Sequence, residues 1–324
     1  MSFLWAIAFG ICPQRPSHSL FFNFAEHTKL LIHTSTQYSF IRYLAAKKTV
    51  DDRALNAHVW NTLVNALPVT TPERPLRVLE VGAGIGTMVE RVVERKLLKY
   101  AHYKAVDEQA DNIAEMRRRV PLNMCQGDMH IVIDPEAADA LEFAVRPENR
   151  GTWDVLIAHA FLDLLDLPSA LPLLLGCLRP RGSFYFTIVF DGATILQPEI
   201  DPVFDAQIAT LYHRTMDERI TKGRPSGGSR SGRQLFEHLR RAGAEVLAAG
   251  SSDWVVFARP SGYPDDEAYF LHFIVDTMHG ALRNRPELDM PRFESWIVER
   301  HAQIERGELV YIAHQLDVAG CVRG

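Results

Sequence analysis

The sequence predicts a doubly wound α/β fold, with a mainly parallel sheet ending in an antiparallel hairpin and helical segments added before and after it. Three observations carry this expectation. From Arg74 to Pro260, short apolar runs rich in β-formers alternate with amphipathic stretches, as in a parallel sheet covered on both faces. The first run, "LRVLEVG", opens into a glycine-spaced turn, "EVGAGIG" at 80–86, followed at once by a helical pattern. The second run, "YKAVD", also ends in an acid, at the edge where neighbouring parallel strands bring their carboxyl ends together.

The elements follow in order. Residues 1–39 mix apolar clusters with Pro, His and Ser at no steady period, and read as an irregular arm or as the product of a misassigned start. Residues 40–73 form a helical region, with Thr49 or Asp51 as N-cap and Leu55, Val59, Leu63 and Leu67 on one face. Residues 74–260 hold the sheet. "LRVLEVG" and "YKAVD" are strands one and two, "PLNMCQGD" supplies the third, "WDVLIAHA" the fourth and "GSFYFTIVF" the fifth. "TMVERVVERKLL", "ADNIAEMRRRV" and, despite its internal Pro, "SALPLLLGCL" are the helices between them. "DPVFDAQIATLYHRTMDERI" and "RQLFEHLRRAG" are further helices flanking a Gly/Ser/Arg loop, and "AEVLAAGSSDWVVFARP" reads as two strands around a Gly-Ser-Ser turn. Residues 261–324 form a mainly helical extension ending in the apolar run "ELVYIAHQLDVAG".

Composition narrows the function. At 324 residues, with 47% hydrophobic and 23% charged residues, the chain has ordinary globular make-up and enough length for a full core. A net charge of −5 argues against a nucleic-acid backbone as main partner. The four cysteines, Cys12, Cys125, Cys177 and Cys321, lie far apart without metal-ligand spacing, so no metal is expected and reduced thiols in the cytoplasm are. No segment reads as a membrane span.

Glycine in the 80–86 turn admits positive φ and lets a ligand approach the backbone, while the following helix points free N–H groups at the same spot. A carboxylate at Asp107 suits the two hydroxyls of a ribose. Asp128, in "CQGD", suits an adenine amino group.

In this combination the chain resembles the class I S-adenosylmethionine-dependent methyltransferases. Glu80 to Gly86 match the family's acid-x-Gly-x-Gly-x-Gly, Asp107 its acid after strand two, and "GD" its third turn; "WDVLIAHAFLDLL", "CLRPRGSFYFTIVF" and a terminal hairpin complete the order. Pro180-Arg181-Gly182 stands where the family has Pro-Gly-Gly. The resemblance implies a Rossmann-like, seven-stranded methyltransferase sheet. It also implies S-adenosyl-L-methionine as cofactor, with Gly82, Ala83, Gly84 and Gly86 making room for the methionyl part and Glu80 holding its ammonium. Asp107 would hold the ribose, Asp128 and Met129 would frame the adenine, and Ala158 to Phe161, including His159, would lie beside the sulfonium.

Methyl transfer is a direct displacement that needs alignment and, for a protonated acceptor, a base. His159, at the carboxyl end of strand four, and Asp163 are the candidate catalytic residues, though each has a purely structural reading: packing for His159, helix capping for Asp163. Asp191, Tyr212 and His213 are candidate acceptor contacts, with turn formation or a solvated helix face as the plainer explanations. Arg53, His279 and His314 join them if the two extensions close over the site, and the basic loop "KGRPSGGSRSGR" is a solvated loop or an anion-binding lid. A small-molecule acceptor is expected, since neither an Asn/Asp-Pro-Pro-Tyr motif nor a Pro-Cys nucleophile is present. Thr87 breaks the dinucleotide fingerprint, and no Gly-Gly-Gly-Asp turn marks an aminopropyltransferase. A non-catalytic cofactor-binding or scaffolding protein is the rival reading.

Overall fold

The computed structural model describes residues 38–324 apart from Asp128 and Lys222; the expected arm falls almost wholly outside them. Helix α1 spans Phe40–Ala54 and is capped by Ser39, whose hydroxyl accepts from the Arg42 N–H. Asp51, expected as a cap, lies inside this helix and is fully buried. The single apolar face expected across this region is split: Asn56 starts a separate helix α2, Ala57–Ala66, by accepting from the N–H groups of His58 and Val59. A capping side chain outcompetes helix continuation there.

The sheet then alternates with helices: β1 Leu76–Val81, α3 Thr87–Glu94, β2 Tyr100–Asp107, α4 Ala110–Arg119, β3 Asn123–Gln126, β4 Met129–Ala137, α5 Ala140–Ala144, β5 Trp153–His159, α6 Leu167–Leu175 and β6 Leu178–Gln197. There follow α7 Pro202–Asp217, a two-residue pair β7 Ile220–Thr221 and β8 Arg224–Pro225, α8 Ser231–Arg241, β9 Ala244–Ser251, β10 Trp254–Val256, α9 Glu267–Leu282, α10 Met290–Glu305 and β11 Val310–Val322.

The strand order is β10-β11-β6-β5-β1-β2-β4-β3, with β9 also on β11. Strands β4, β2, β1, β5 and β6 run parallel, so their carboxyl ends share one edge. The doubly wound, Rossmann-like fold is therefore present, with helices on both faces. One face packs α1 to α4, α9 and α10 over residues such as Val78, Tyr103, Val155 and Ile157; the other packs α5, α6 and α8 over Leu79, Val81, Leu156 and Phe186. Strand alternation puts Glu80, His159 and Thr187 on the first face, beneath α1.

Two pairings differ from expectation. The strand beside β2 is β4, "MHIVIDPEA"; "PLNMCQGD" contributes only the short edge strand β3, antiparallel to β4. At the far edge, β9 and β10 both pair antiparallel with β11 rather than with each other. The final segment of the chain is thus the strand that lies against β6. Asp317 on β11 fastens that lane, accepting from the N–H groups of Ile188 and Asn56 at 2.8 Å each. Ile188 donates from a left-handed backbone, φ +55°, where the β6–β11 register shifts.

Candidate functional site

The glycine turn is built as its sequence demands. Gly82, Gly84 and Gly86 all have positive φ, at 67°, 55° and 85°. Gly82 also admits a close neighbour: a Cβ there would sit 2.3 Å from the Phe161 ring, which is brought over the turn by Ala160 in a left-handed conformation, φ +49°. Over Gly84 a Cβ would meet only Leu44 of α1, at 3.5 Å. Gly86 starts α3 with no side-chain cap, leaving its first N–H groups at the turn.

Asp107 ends β2 and ties the turn down. Its carboxylate accepts from the Gly84 N–H at 2.8 Å, the Gln109 N–H at 2.9 Å and the Asn112 side chain at 3.0 Å. Burial raises its pKa against the pull of those three donors. Glu80 is more isolated. It is 1% exposed, accepts one hydrogen bond from the Tyr103 hydroxyl at 2.7 Å, and has no salt-bridge partner among the described residues. Burial pushes its pKa up to about 8, against the Tyr103 bond and the more distant Arg91.

Beside Glu80 lies a dense ionic cluster. Arg91 of α3 is fully buried and donates to Asp51 (3.3 Å), Asp52 and the Lys48 carbonyl (3.2 Å), with His159 Nε2 lying 3.1 Å away. Asp51 also accepts from Lys47 (3.0 Å), the Trp254 indole (2.8 Å) and His159 Nε2 (2.9 Å). Burial alone would raise the Asp51 carboxyl, but Lys47, His159 and Arg91 hold it well below the usual carboxylate range. His159 completes the cluster through Nδ1, 2.8 Å from the fully buried Thr187 hydroxyl. Since Asp51 is ionised, Nε2–H donates to it and Nδ1 accepts from Thr187. Burial drives the imidazole pKa down to about 4 against the attraction of Asp51, so the ring is neutral at pH 7.

That arrangement agrees with the structural alternative for His159. Both ring nitrogens are engaged by protein groups, so it joins α1 to β5 and β6 and offers no free nitrogen to a cofactor or acceptor. Asp191 accepts from the backbone N–H and the Nε–H of Arg233, both at 2.8 Å, and so anchors the first turn of α8. His213 bonds Thr194 at 3.0 Å and packs edge-on against Phe190. Tyr212 is buried beside it. Arg53, His279 and His314 pair with Glu267, Glu294 and Asp253. Asp163 sits in a short 3-10 turn, Leu162–Leu164, and its Oδ1 atom is buried without a partner.

Asp128 lies outside the described residues, and Met129 is at the wrong edge. The β2–β4 register pairs Tyr100 with His130 and Asp107 with Ala137, so Met129 is a strand length, roughly 26 Å, from the carboxyl edge. The loop level with Asp107 is Ala137–Asp139: the Ala138 N–H donates to the Asp107 carbonyl and Asp139 caps α5. The signal was present in the sequence as the period-two alternation of "HIVID" ahead of "EAADALEF".

Sheet order, glycine turn and edge acids now stand together. The fold is a Rossmann-like sheet of the kind that the resemblance to the methyltransferases implies. Among solved structures the chain is similar to a candidate methyltransferase from Bacillus halodurans, at 11% identity and TM-score 0.46 over 81% of this chain and 98% of that one. A phosphoethanolamine N-methyltransferase from Haemonchus contortus matches at 11% identity and TM-score 0.44, over 88% and 58%. A S-adenosylmethionine-dependent methyltransferase from Methanosarcina mazei matches at 11% and 0.43, over 81% and 97%. No family model and no curated protein matches the chain.

Arg91, Tyr103 and the Lys47–Asp51 pair come from three separated segments, and although Lys47 and Asp51 are four apart on one helix, no spacing links that pair to Arg91 or Tyr103. Among the described residues, no helix is long and apolar enough to cross a membrane, and no group of three or more His, Cys, Asp or Glu could hold a metal ion.

Proposed function

We propose that this chain is a S-adenosylmethionine-dependent methyltransferase acting on a small-molecule acceptor. The observation that carries the reading is Glu80, a buried carboxyl beside the glycine turn that forms no salt bridge among the described residues. An isolated buried acid is costly, and a ligand ammonium would relieve it. The residues present fit the cofactor. Glu80 would hold the ammonium of its methionyl part, Gly82 to Gly86 the methionyl backbone, and Asp107 the ribose. Ala137 to Asp139, rather than Asp128 and Met129, would border the adenine.

When bound, the cofactor supplies a methyl group already activated by sulfonium. The protein's task is then alignment and exclusion of water. Phe161 and Leu44 cover the turn with apolar surface, and the Asp51–Arg91–His159 cluster fixes α1 above it, so the edge of the sheet is walled before any acceptor arrives.

The test is calorimetric titration of the full chain with S-adenosylmethionine, with NADH and decarboxylated S-adenosylmethionine as controls. Selective micromolar binding supports the reading, and failure to bind in folded, cofactor-free protein defeats it. Tight binding without methyl release across an acceptor panel would instead favour a non-catalytic cofactor binder.

A further inference from the structure

Asp163 carries an unanswered polar group at the same edge of the sheet. Among the described residues, its Oδ1 is the one buried carboxylate oxygen with no hydrogen-bond partner. Two tyrosines from different elements share its surroundings, Tyr43 of α1 and Tyr212 of α7, with Tyr311 of β11 beside those two. Asp163 and Tyr212 are each within electrostatic reach of Tyr43 and of one another, and Tyr311 is within reach of Tyr43 and Tyr212.

The rings are fixed by packing. Tyr43 stacks on Phe273 with centroids 4.0 Å apart and on Phe270 at 5.7 Å, and Phe270 meets Tyr311 edge-on at 6.1 Å. Tyr212 and Tyr311 are 6% and 4% exposed, yet neither they nor Tyr43 find a hydroxyl partner among the described residues. On the other side, Gly227 presses on Asp163 so closely that a Cβ there would come within 2.3 Å of the Asp163 carbonyl oxygen. The basic loop therefore closes over the Asp163 backbone, while Oδ1 itself is buried. Arg219 and Lys47 are within electrostatic reach of the carboxylate: the Lys47 ammonium is committed to Asp51 at 3.0 Å, and the Arg219 guanidinium, which lies against the same Gly227, gives Oδ1 no hydrogen bond.

A buried carboxylate oxygen without a donor, with aromatic rings and free hydroxyls around it, is a site for a cation that brings its own N–H groups. We propose that Asp163, beside Tyr43 and Tyr212, binds the ammonium group of an amine acceptor and receives its proton. The inference rests on the methyltransferase reading for its chemistry. The acceptor ammonium gives a proton to Asp163 Oδ1, which frees the nitrogen lone pair. That pair forms the new N–C bond to the methyl carbon while the S–C bond breaks and its electrons remain on sulfur. The products are a methylated ammonium, a neutral thioether and a protonated Asp163.

The test uses three probes of matched shape, phenethylamine, 2-phenylethanol and phenylacetate, titrated into the full chain with and without S-adenosylhomocysteine. The amine is expected to bind at least about tenfold more tightly than the alcohol or the acid. Asp163→Asn should erase that preference while affinity for S-adenosylhomocysteine stays within about twofold, which also reports that the variant folds. Tyr212→Phe, which keeps the ring, should weaken amine binding about threefold. Equal binding of amine and alcohol, tighter binding of phenylacetate, or an amine preference that survives Asp163→Asn would overturn the proposal. If S-adenosylhomocysteine itself fails to bind, the methyltransferase reading falls. An Asp163-dependent amine preference in the ligand-free protein would still support the site.

Discussion

Buried polar groups at this edge of the sheet are built on two opposite rules. In the Asp51–Arg91–His159–Thr187 region, charged groups meet opposite charges and both imidazole nitrogens are engaged. Around Glu80 and Asp163, carboxyls are buried with too few donors: one hydroxyl for Glu80, none for Asp163 Oδ1. Satisfied networks hold elements together, whereas groups left short of partners keep their binding capacity for something else. The first region fastens a helix over the sheet edge, and the second is where a ligand would be received.

The largest expected effect breaks the first region. Arg91→Ala leaves Asp51 and Asp52 without their shared guanidinium and should destabilise the fold by about 3–5 kcal/mol, read as a lower urea midpoint. Loss of less than about 1 kcal/mol would mean that α1 is not held by this cluster. Asp107→Ala should weaken S-adenosylmethionine binding at least tenfold, about 1.4 kcal/mol, and unchanged affinity in folded protein would remove Asp107 from the ribose.

The pH response separates the two regions by sign. Glu80, with its pKa raised to about 8, keeps its proton in the folded state while the unfolded chain releases it near the ordinary value of 4.5. Its contribution to stability is whole below that value and lost as pH rises toward 8. His159, lowered to about 4, does the reverse: the unfolded ring takes a proton below 6.5 while the folded one refuses it, so stability falls on acidification through that window. Urea midpoints across this range should show Glu80→Gln removing the alkaline decline while leaving the acid one. An unaltered alkaline slope would mean that Glu80 is ionised in the folded protein. Smallest of all, Met129→Ala should change S-adenosylmethionine affinity by less than about twofold, because the residue lies at the far edge of the sheet. A larger loss would reverse that placement.

The glycine-turn edge was legible where chemistry is local. The run from Glu80 to Gly86 is contiguous, its glycines need positive φ, and the acid closing β2 follows one helix later. Reading failed at β3, where a four-residue hairpin arm imitates a parallel strand and so carried the adenine assignment to the wrong edge. It failed again at β9 and β10, since strand propensity says nothing about the partner that a strand will choose.

By itself the sequence determined the alternating elements, the glycine turn and the acids that end its first two strands, because these depend on periodicity and on backbone freedom at single positions. Only the tertiary structure decided that β11 would return from the end of the chain to complete the sheet, and that Asp51 would meet Arg91 and His159 in one buried cluster. It also decided that Glu80 and Asp163 would be left short of partners. Burial and pairing are properties of distant segments brought into contact, and no spacing along the chain encodes which charge will find its opposite and which will not.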